Sequence, residues 1–169
     1  MSTSWEGRQS IEVLTLELQG EAFAIEATQV YEILDRTPIT DVPGSHPFIS
    51  GLVNVRGKVV PLADLRLKFG MPQTAPTIDT RIIVTEILLD GERITLGVLA
   101  DKVNEVTELP ADVLQETPKI GMKWRPELIR CIGKRGAEFI AILDIDRIFA
   151  DDEDNIPAQG AAAFEQSAA

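Results

Sequence analysis

The chain has 169 residues and an excess of acidic side chains, 27 Asp and Glu against 16 Lys and Arg, with a formal net charge of −11 at pH 7. This balance argues against nucleic acid as a partner, because contact with phosphate groups requires a basic surface. The apolar and charged fractions, 44% and 25%, are those of a globular domain, and no apolar run approaches the roughly 20 residues that cross a bilayer, so we expect no membrane insertion.

The two ends of the chain are predicted to lie outside the fold. Residues 1–10 lack the basic and then apolar order of a secretory signal. Residues 151–169 begin with the acidic run Asp-Asp-Glu-Asp and continue with small side chains. Few apolar groups are available there to offset the entropy of ordering. We therefore expect a flexible leader at 1–10, a folded region at 11–150 and a flexible, acidic and alanine-rich tail at 151–169.

Short strands dominate the predicted elements between these ends. In chain order, an apolar strand from residue 11 turns at Gln19-Gly20, and later strands turn at Arg56-Gly57 and Asp90-Gly91, where Gly tolerates a positive φ. Short helical segments are predicted at residues 27–33, 64–69, 111–115 and 144–149. Many short strands with few helices favour small closed β-barrels, because a closed barrel leaves few exposed edges.

The chain also repeats itself. Residues 25–33 align with residues 98–106, and residues 59–69 align with residues 139–149, in the same order. In the second pair each strand ends on an Asp, Asp64 or Asp144, which is suited to cap the helical turn that follows. We infer an internal duplication that forms two lobes, near residues 11–70 and 80–150, with a loop at 71–77 between them. Phe69 and Phe149 are expected in equivalent buried places, and the sequence leaves open whether a strand crosses between lobes.

No catalytic, metal or cofactor constellation is apparent in the sequence. His46 lies in a turn-rich loop without a partner for acid–base chemistry. Cys131 lies in a predicted apolar strand, where a free thiol is buried and inert, and a single cysteine fits a reducing cytoplasm. The segment Gly51–Lys58 fails as a phosphate loop, because five residues separate its glycines and Val59 replaces the Ser or Thr. We therefore expect no enzyme and no cofactor.

Two charged residues remain as candidates for partner binding. Arg56 is placed by its hairpin at the end of two apolar strands, where its guanidinium can engage carboxylates or carbonyls of a partner. The alternative is a solvated turn residue. Glu32 is matched by Glu105 in the second copy, which also allows a structural role within each lobe. The two roles of Glu32 are compatible.

Residues 48–69, Phe-Ile-Ser-Gly-Leu-Val-Asn-Val-Arg-Gly-Lys-Val-Val-Pro-Leu-Ala-Asp-Leu-Arg-Leu-Lys-Phe, closely resemble the CheW family, and residues 29–33 support the match. These adaptor proteins join chemoreceptors to the histidine kinase CheA. The resemblance implies a mainly β fold of two small, SH3-like, five-stranded barrels with short helices. It also implies a groove between the barrels for the cytoplasmic tip of a chemoreceptor, other faces for CheA, and a cytoplasmic protein recruited to receptor arrays. The residues that match family contact positions are Val30, Glu32, Gly51 and Arg56.

The second half departs from the family pattern. Residues 121–126 and Cys131 are not strong family features, which leaves room for a paralogue in a non-flagellar pathway, such as pilus motility or second-messenger signalling. A different class of protein, a β-barrel that binds a small molecule, would require a concave pocket with convergent polar groups. The sequence marks no such pocket.

Overall fold

The structure, a computed structural model, describes residues 7–35, 37–41, 49–121 and 125–153. His46 and most of the predicted leader and tail lie outside the described residues. Both predicted boundaries shift slightly, because Ser10 already belongs to the first strand and the last helix continues to Glu153.

The described chain is mainly β, as predicted. Its strands and helices are β1 (Ser10–Leu18), β2 (Glu21–Glu26), β3 (Val30–Leu34), β4 (Ile49–Val55), β5 (Lys58–Ala63), α1 (Leu65–Lys68), β6 (Arg81–Leu89), β7 (Glu92–Ala100), β8 (Lys102–Pro110), β9 (Leu114–Gln115), β10 (Ile129–Arg135), β11 (Glu138–Leu143) and α2 (Ile145–Glu153). No helix among the described residues has the length and apolar character needed to span a membrane.

The strands form two sheets, consistent with two small SH3-like barrels. Lobe A has the strand order β8-β1-β2-β11-β10-β9, and lobe B has the order β3-β6-β7-β5-β4. Lobe A therefore adds the two-residue strand β9 to the five strands expected.

The two halves of the chain exchange hairpins. The β1–β2 hairpin pairs antiparallel with β8 and parallel with β11 in lobe A. The β6–β7 hairpin pairs antiparallel with β3 and parallel with β5 in lobe B. The predicted lobes at residues 11–70 and 80–150 therefore do not follow the sheets, because each sheet combines one hairpin from one half with the remaining strands of the other half.

The exchange preserves the symmetry of the duplication. Strands β3, β6, β7, β5 and β4 of lobe B take the places of β8, β1, β2, β11 and β10 of lobe A. The parallel registers also agree, since Leu62 pairs with Gly97 in lobe B and Ile142 pairs with Ala24 in lobe A. These pairs are equivalent under the sequence alignment. The two sheets thus have the same strand order and the same parallel register at equivalent residues, which supports the inferred duplication.

Alternate residues of the strands serve different cores. In β2, Ala24 packs inside lobe A, whereas Phe23 and Ile25 join a central cluster that connects the lobes. A strand buried on both faces reads as a continuous apolar run, which explains the apolar character of the exchanged hairpins. Phe149 belongs to the central cluster with 6% exposure. Phe69 packs against the same cluster but is only half-buried, so the prediction of two buried phenylalanines is correct for Phe149 and too strong for Phe69.

The helix predictions divide into two groups. The segments at 64–69 and 144–149 are confirmed as α1 and the first turns of α2, and Asp64 Oδ1 and Asp144 Oδ1 each accept a hydrogen bond from a backbone N–H of the following turn at 3.1 Å. The segments at 27–33 and 111–115 each form only one 3₁₀ turn and then a strand. β-Branched and aromatic side chains at residues 30–33 favour a strand, which places Val30 and Glu32 on β3.

Candidate functional site

Arg56 and Glu32 form a two-point ion pair at one end of lobe B. Arg56 Nε lies 3.0 Å from Glu32 Oε1, and Nη2 lies 3.2 Å from Oε2. Glu32 is on β3 and Arg56 is at the tip of the β4–β5 hairpin, so the pair joins the two outer strands of the sheet. The position of Glu32 fits both roles proposed for it. The ion pair connects two strands of the lobe, which is a structural role, and it lies at the surface, where a partner can reach it.

The hairpin tip holds Arg56 in an unusual backbone conformation. Its φ is +51°, followed by Gly57 at +84°, and Asn54 Oδ1 accepts a hydrogen bond from Gly57 N at 2.8 Å. Two consecutive positive φ angles favour Asn or Gly at the first position, and a non-glycine residue with positive φ is uncommon. The Gln19-Gly20 and Asp90-Gly91 turns have nearly the same pair of φ angles, so this turn is the common hairpin turn of the chain and it places Arg56 at the tip.

The guanidinium of Arg56 remains accessible. Its side chain is 81% exposed, compared with 25% for Glu32. The hydrogen bonds from Arg56 lower the pKa of Glu32, so the pair is charged at neutral pH. Ile33 and Val59, close to the pair along the chain, are 43% and 62% exposed. An accessible ion pair and exposed apolar side chains are residue types found at protein-binding surfaces, and we call these four residues the lobe B end surface.

Val30 lies elsewhere, in a cleft between lobe B and α2. The cleft has a volume of about 480 Å³ and is also lined by Tyr31, Leu88, Arg93 and Asp146. Val30 is partly buried against the central cluster. We call this cavity the α2 cleft. It combines apolar side chains with charges of both signs, and it lies at the junction of the two lobes.

Hydrogen bonds fix the polar walls of the α2 cleft. Asp146 Oδ1 accepts from Leu88 N at 3.0 Å and from Gln29 Nε2 at 3.2 Å. Tyr31 donates its hydroxyl to Glu86 Oε2 at 2.7 Å, and this bond raises the pKa of the phenol. Sequence reasoning missed Tyr31, Leu88 and Asp146, because α2 and β6 are distant from β3 along the chain. The exposed side chains of Tyr31 and Leu88, 65% and 55% exposed, become recognisable only in the fold.

Gly51 is not on the surface. It is buried in β4, and a Cβ atom there would lie 2.5 Å from Thr40 O and 2.7 Å from Ile39 Cγ2. Thr40 and Leu52 exchange backbone hydrogen bonds of 2.8 and 2.9 Å across this contact. Because Gly51 has no side chain, the segment at residues 37–41 can pack along the free edge of β4. Gly51 therefore affects a binding surface only indirectly.

Lobe A carries a related ion pair. Glu105 is equivalent to Glu32, and its Oε1 lies 2.6 Å from Arg135 Nη2. Arg135 stands one position before the residue that corresponds to Arg56. The sequence match between Glu32 and Glu105 thus reflects a shared structural role, in which each glutamate ties an outer strand to a hairpin tip.

The Cys131 thiol and possible metal ligands bear on whether the described residues carry catalytic chemistry. Burial raises the pKa of the Cys131 thiol to about 12, which makes it a poor nucleophile, as its strand position predicted. Within the described ranges, no group of three or more His, Cys, Asp or Glu side chains is arranged to hold a metal ion.

Comparison with known proteins identifies the family. The family model of the CheW-like domain matches residues 12–153, most of the chain. The chain belongs to the CheW-like domain family. Among curated relatives, chemotaxis protein CheW of Klebsiella aerogenes is 28% identical over 142 residues, which cover 84% of this chain and 83% of that protein. Chemotaxis protein CheW of Thermotoga maritima is 27% identical over 154 residues, covering 89% and 95%.

A solved structure agrees with the family assignment. The scaffolding protein TtCheW from Thermoanaerobacter tengcongensis superposes with a TM-score of 0.73 at 27% sequence identity, covering 82% of this chain and 92% of that one. Protein PilI of Pseudomonas aeruginosa is also similar, at 27% identity over 113 residues, but these cover 67% of this chain and 58% of PilI. The CheW-like resemblance in residues 48–69 therefore extends over nearly all the described residues.

Proposed function

We propose that this chain is a non-enzymatic adaptor that couples the cytoplasmic tip of methyl-accepting chemoreceptors to a CheA-type histidine kinase. Membership of the CheW-like domain family supports chemotaxis signalling as the pathway. The observation that carries the coupling role is the presence of two separate surfaces, the α2 cleft and the lobe B end surface, on one two-lobed body. An adaptor needs two such surfaces held in a fixed relation, and it needs no catalytic group.

The α2 cleft is the proposed receptor site. A receptor tip is an antiparallel helical hairpin, and a helix binds by laying apolar side chains into a groove. Val30 and Leu88 offer apolar contacts, while Arg93 and Asp146 offer charges of both signs to the polar flank of a helix. Because Asp146 is held by two hydrogen bonds, this wall is preorganised, which lowers the entropy cost of binding.

The lobe B end surface is the proposed kinase site. Arg56 is preorganised by Glu32 and remains exposed, and Ile33 and Val59 are exposed apolar side chains near the pair along the chain. A partner carboxylate could share the guanidinium with Glu32, because the guanidinium has five N–H donors and Glu32 uses two of them. Gly51 supports this region from inside by allowing the 37–41 segment to pack on β4.

Reconstitution tests the function. The purified chain, a CheA-type kinase and the cytoplasmic fragment of a receptor from the same cell are mixed, and kinase autophosphorylation is followed. We expect receptor control of the kinase only when all three components are present. If the wild-type chain neither enters the complex nor changes kinase activity with any receptor of its cell, the adaptor function is wrong.

Single variants test the sites separately. Val30→Lys is expected to abolish capture by the receptor fragment and to leave kinase binding intact, whereas Arg56→Glu is expected to weaken kinase binding. Lys102→Glu is the control for charge reversal, since Lys102 is an exposed residue of β8. A complex that forms normally with both site variants would refute the site assignment and leave the function standing. A pilus-motility pathway, favoured only by the similarity to PilI, would be shown by response to a kinase of that pathway alone.

A further inference from the structure

A second cavity lies on the face of lobe A that is turned away from the lobe's own core, and it shares no lining residue with the α2 cleft or the lobe B end surface. Its volume is about 590 Å³. Phe139, Ala141 and Ile132 form its apolar floor, and Glu21, Glu116 and Glu138 stand at its rim. We call it the lobe A cavity.

The floor exposes an aromatic ring that the lobe does not bury. Phe139 is 61% exposed, although its neighbours Ile140 and Ile142 are in the interior of lobe A. Side chains alternate along a strand, so Phe139 and Ala141 share the outer face of β11. Ile132, on the paired strand β10, is only half-buried beside them. Ala141 is already buried, so a partner that covers this floor would remove mainly the apolar area of Phe139 and part of Ile132 from water.

The charged residues that line the cavity are acidic, and the exposed Lys134 pairs with Phe139 just outside this lining. No lysine or arginine is among the described residues that line the cavity, and Glu116 and Glu138 form no ion pair with any described side chain. The rim is also specific to lobe A. Under the alignment of the two copies, Lys58 stands in lobe B where Glu138 stands in lobe A, and Ile94 stands where Glu21 stands. The acidic rim is therefore not a feature that the duplicated architecture requires.

We propose that the lobe A cavity binds a basic peptide segment in which an apolar side chain is flanked by Lys or Arg. The apolar side chain packs on Phe139 and Ile132, and the flanking cations lie against Glu116 and Glu138. Charge complementarity favours this partner over a second copy of the chain, because a net charge of −11 makes two copies repel each other. The proposal does not depend on the proposed adaptor function.

A synthetic peptide tests the proposal. The fluorescein-labelled peptide Gly-Lys-Arg-Leu-Phe-Leu-Arg-Lys-Gly is titrated with the full chain, and binding is followed by fluorescence anisotropy. Two further peptides are compared: one has Ser in place of Leu, Phe and Leu, and the other has Glu in place of every Lys and Arg. We expect only the first peptide to bind specifically. Its affinity should fall when salt rises from about 0.05 M to about 0.5 M, because exposed charges are screened.

Substitutions in the chain locate the site. Phe139→Ser and Glu138→Lys change exposed side chains and are each expected to weaken binding about tenfold or more, as removal of a central contact does. Ile78→Ser and Glu92→Lys make comparable apolar-to-polar and charge-reversing changes at exposed positions that do not line the cavity and are expected to bind within about twofold of wild type. Circular dichroism verifies that each variant is folded.

Three results would overturn the proposal. The first is no binding of the basic apolar peptide. The second is equal binding of the apolar and serine peptides, or equal binding by wild type and both cavity variants, since either would indicate only non-specific attraction to an acidic protein. The third is a concentration-dependent dimer in sedimentation velocity that Phe139→Ser abolishes, which would assign the cavity to a second copy.

Discussion

Gly51 and Cys131 occupy the same position in the two copies of the repeat. Each follows a bulge, between Ile49 and Gly51 in β4 and between Ile129 and Cys131 in β10. Each then pairs with the strand residue that meets the exchanged hairpin, Leu62 or Ile142. The positions differ in what surrounds them, because at Gly51 the backbone of Thr40 and the side chain of Ile39 occupy the space of a Cβ.

This difference predicts that alanine is tolerated less well at Gly51 than at Cys131. Gly51→Ala forces the 37–41 segment away from β4, and we expect the free energy of unfolding to fall by about 1–3 kcal/mol, as overpacking does. Cys131→Ala removes only the thiol from an existing Cβ and should cost about 1 kcal/mol. Urea denaturation of both variants measures the difference. Equal stability of Gly51→Ala and wild type would show that the close approach at Thr40 is not maintained in solution.

The ion pair of Arg56 and Glu32 predicts a rescue by charge exchange. Arg56→Glu and Glu32→Arg should each reduce kinase binding, because each places two like charges side by side, one on β3 and one at the hairpin tip. The double variant restores the pair within the lobe. If pairing alone is required, binding should recover. If the cation must stand at residue 56 to meet a partner carboxylate, the double variant should remain defective.

The two outcomes of this exchange distinguish a structural role from direct recognition, and pull-down with the kinase measures them. The pair is exposed, so thermal melting should be close to wild type in all three variants. A strongly lowered melting temperature in either single variant would contradict the assignment to the surface.

The buried network around Asp64 predicts sensitivity to acid. Arg66 contacts Asp64 at 2.8 Å and Asp101 at 3.0 Å, with side-chain exposures of 6% for Arg66 and 2% for Asp64. Burial alone would raise the pKa of Asp64, but hydrogen bonds from Arg66 and Gln73 outweigh it and hold the pKa below its ordinary value. Asp64 therefore contributes stability above about pH 4, the ordinary range of Asp, and this contribution is lost as the pH falls through its lower folded pKa.

Asp64→Ala leaves Arg66 buried with one partner fewer, and we expect a loss of about 3–5 kcal/mol. Asp64→Asn should reduce the dependence of stability on pH below about pH 4, since Asn does not titrate. Denaturation curves between about pH 2 and pH 7 give both quantities. Asp144→Asn is the matched control, because Asp144 is the equivalent cap and its side chain is 23% exposed. An equal loss of acid sensitivity in both variants would contradict the specific role of the buried network.

Because the hairpins are exchanged, we predict that neither half of the chain folds without the other. Fragments 1–77 and 78–169 each supply strands to both lobes, so neither can complete a sheet alone. We expect each fragment to lack native circular dichroism and their mixture to recover it. A fragment that folds alone with a cooperative transition would contradict this expectation. It would show that the hairpin can pair with the other strands of its own fragment.

The central cluster predicts unequal costs at the two equivalent phenylalanines. Phe149→Ala should cost about 3–5 kcal/mol, because the ring is almost fully buried. Phe69→Ala should cost less, since Phe69 is half-buried and stacks on Phe23 with ring centroids 5.6 Å apart. Equal losses in urea denaturation would show that Phe69 is better covered than its exposure indicates.

Many features of this fold can be predicted from short stretches of the sequence. Asp64 and Asp144 cap helices as their positions predicted, and the Arg56-Gly57 turn forms because a two-residue loop and a glycine specify it. The strand content and the duplication follow from patterns that are read over a few residues. These features depend on side chains close together in the chain, so one sequence suffices to predict them.

The candidate site was predicted less completely. Glu32 and Arg56 are found together, but Gly51 is internal and Val30 lies in a separate cleft whose other walls come from β6 and α2. Tyr31 was inside a predicted helical segment, and its exposure on β3 could not be expected from that assignment. A binding surface consists of side chains brought together from distant elements, and a single sequence carries no direct signal of such proximity.

By itself, then, the sequence determined the local elements, their order and their repetition. Only the tertiary structure decided which hairpin completes which sheet. The β1–β2 and β6–β7 hairpins are equivalent copies with similar apolar faces, so either could satisfy the hydrogen bonds and burial of either lobe. Their pairing is non-local, and the packing of Phe23, Ile25, Ile83 and Val98 into one central cluster is what the exchanged arrangement achieves. That cluster joins both lobes into one body, on which the surfaces proposed for the receptor and the kinase keep a fixed relation.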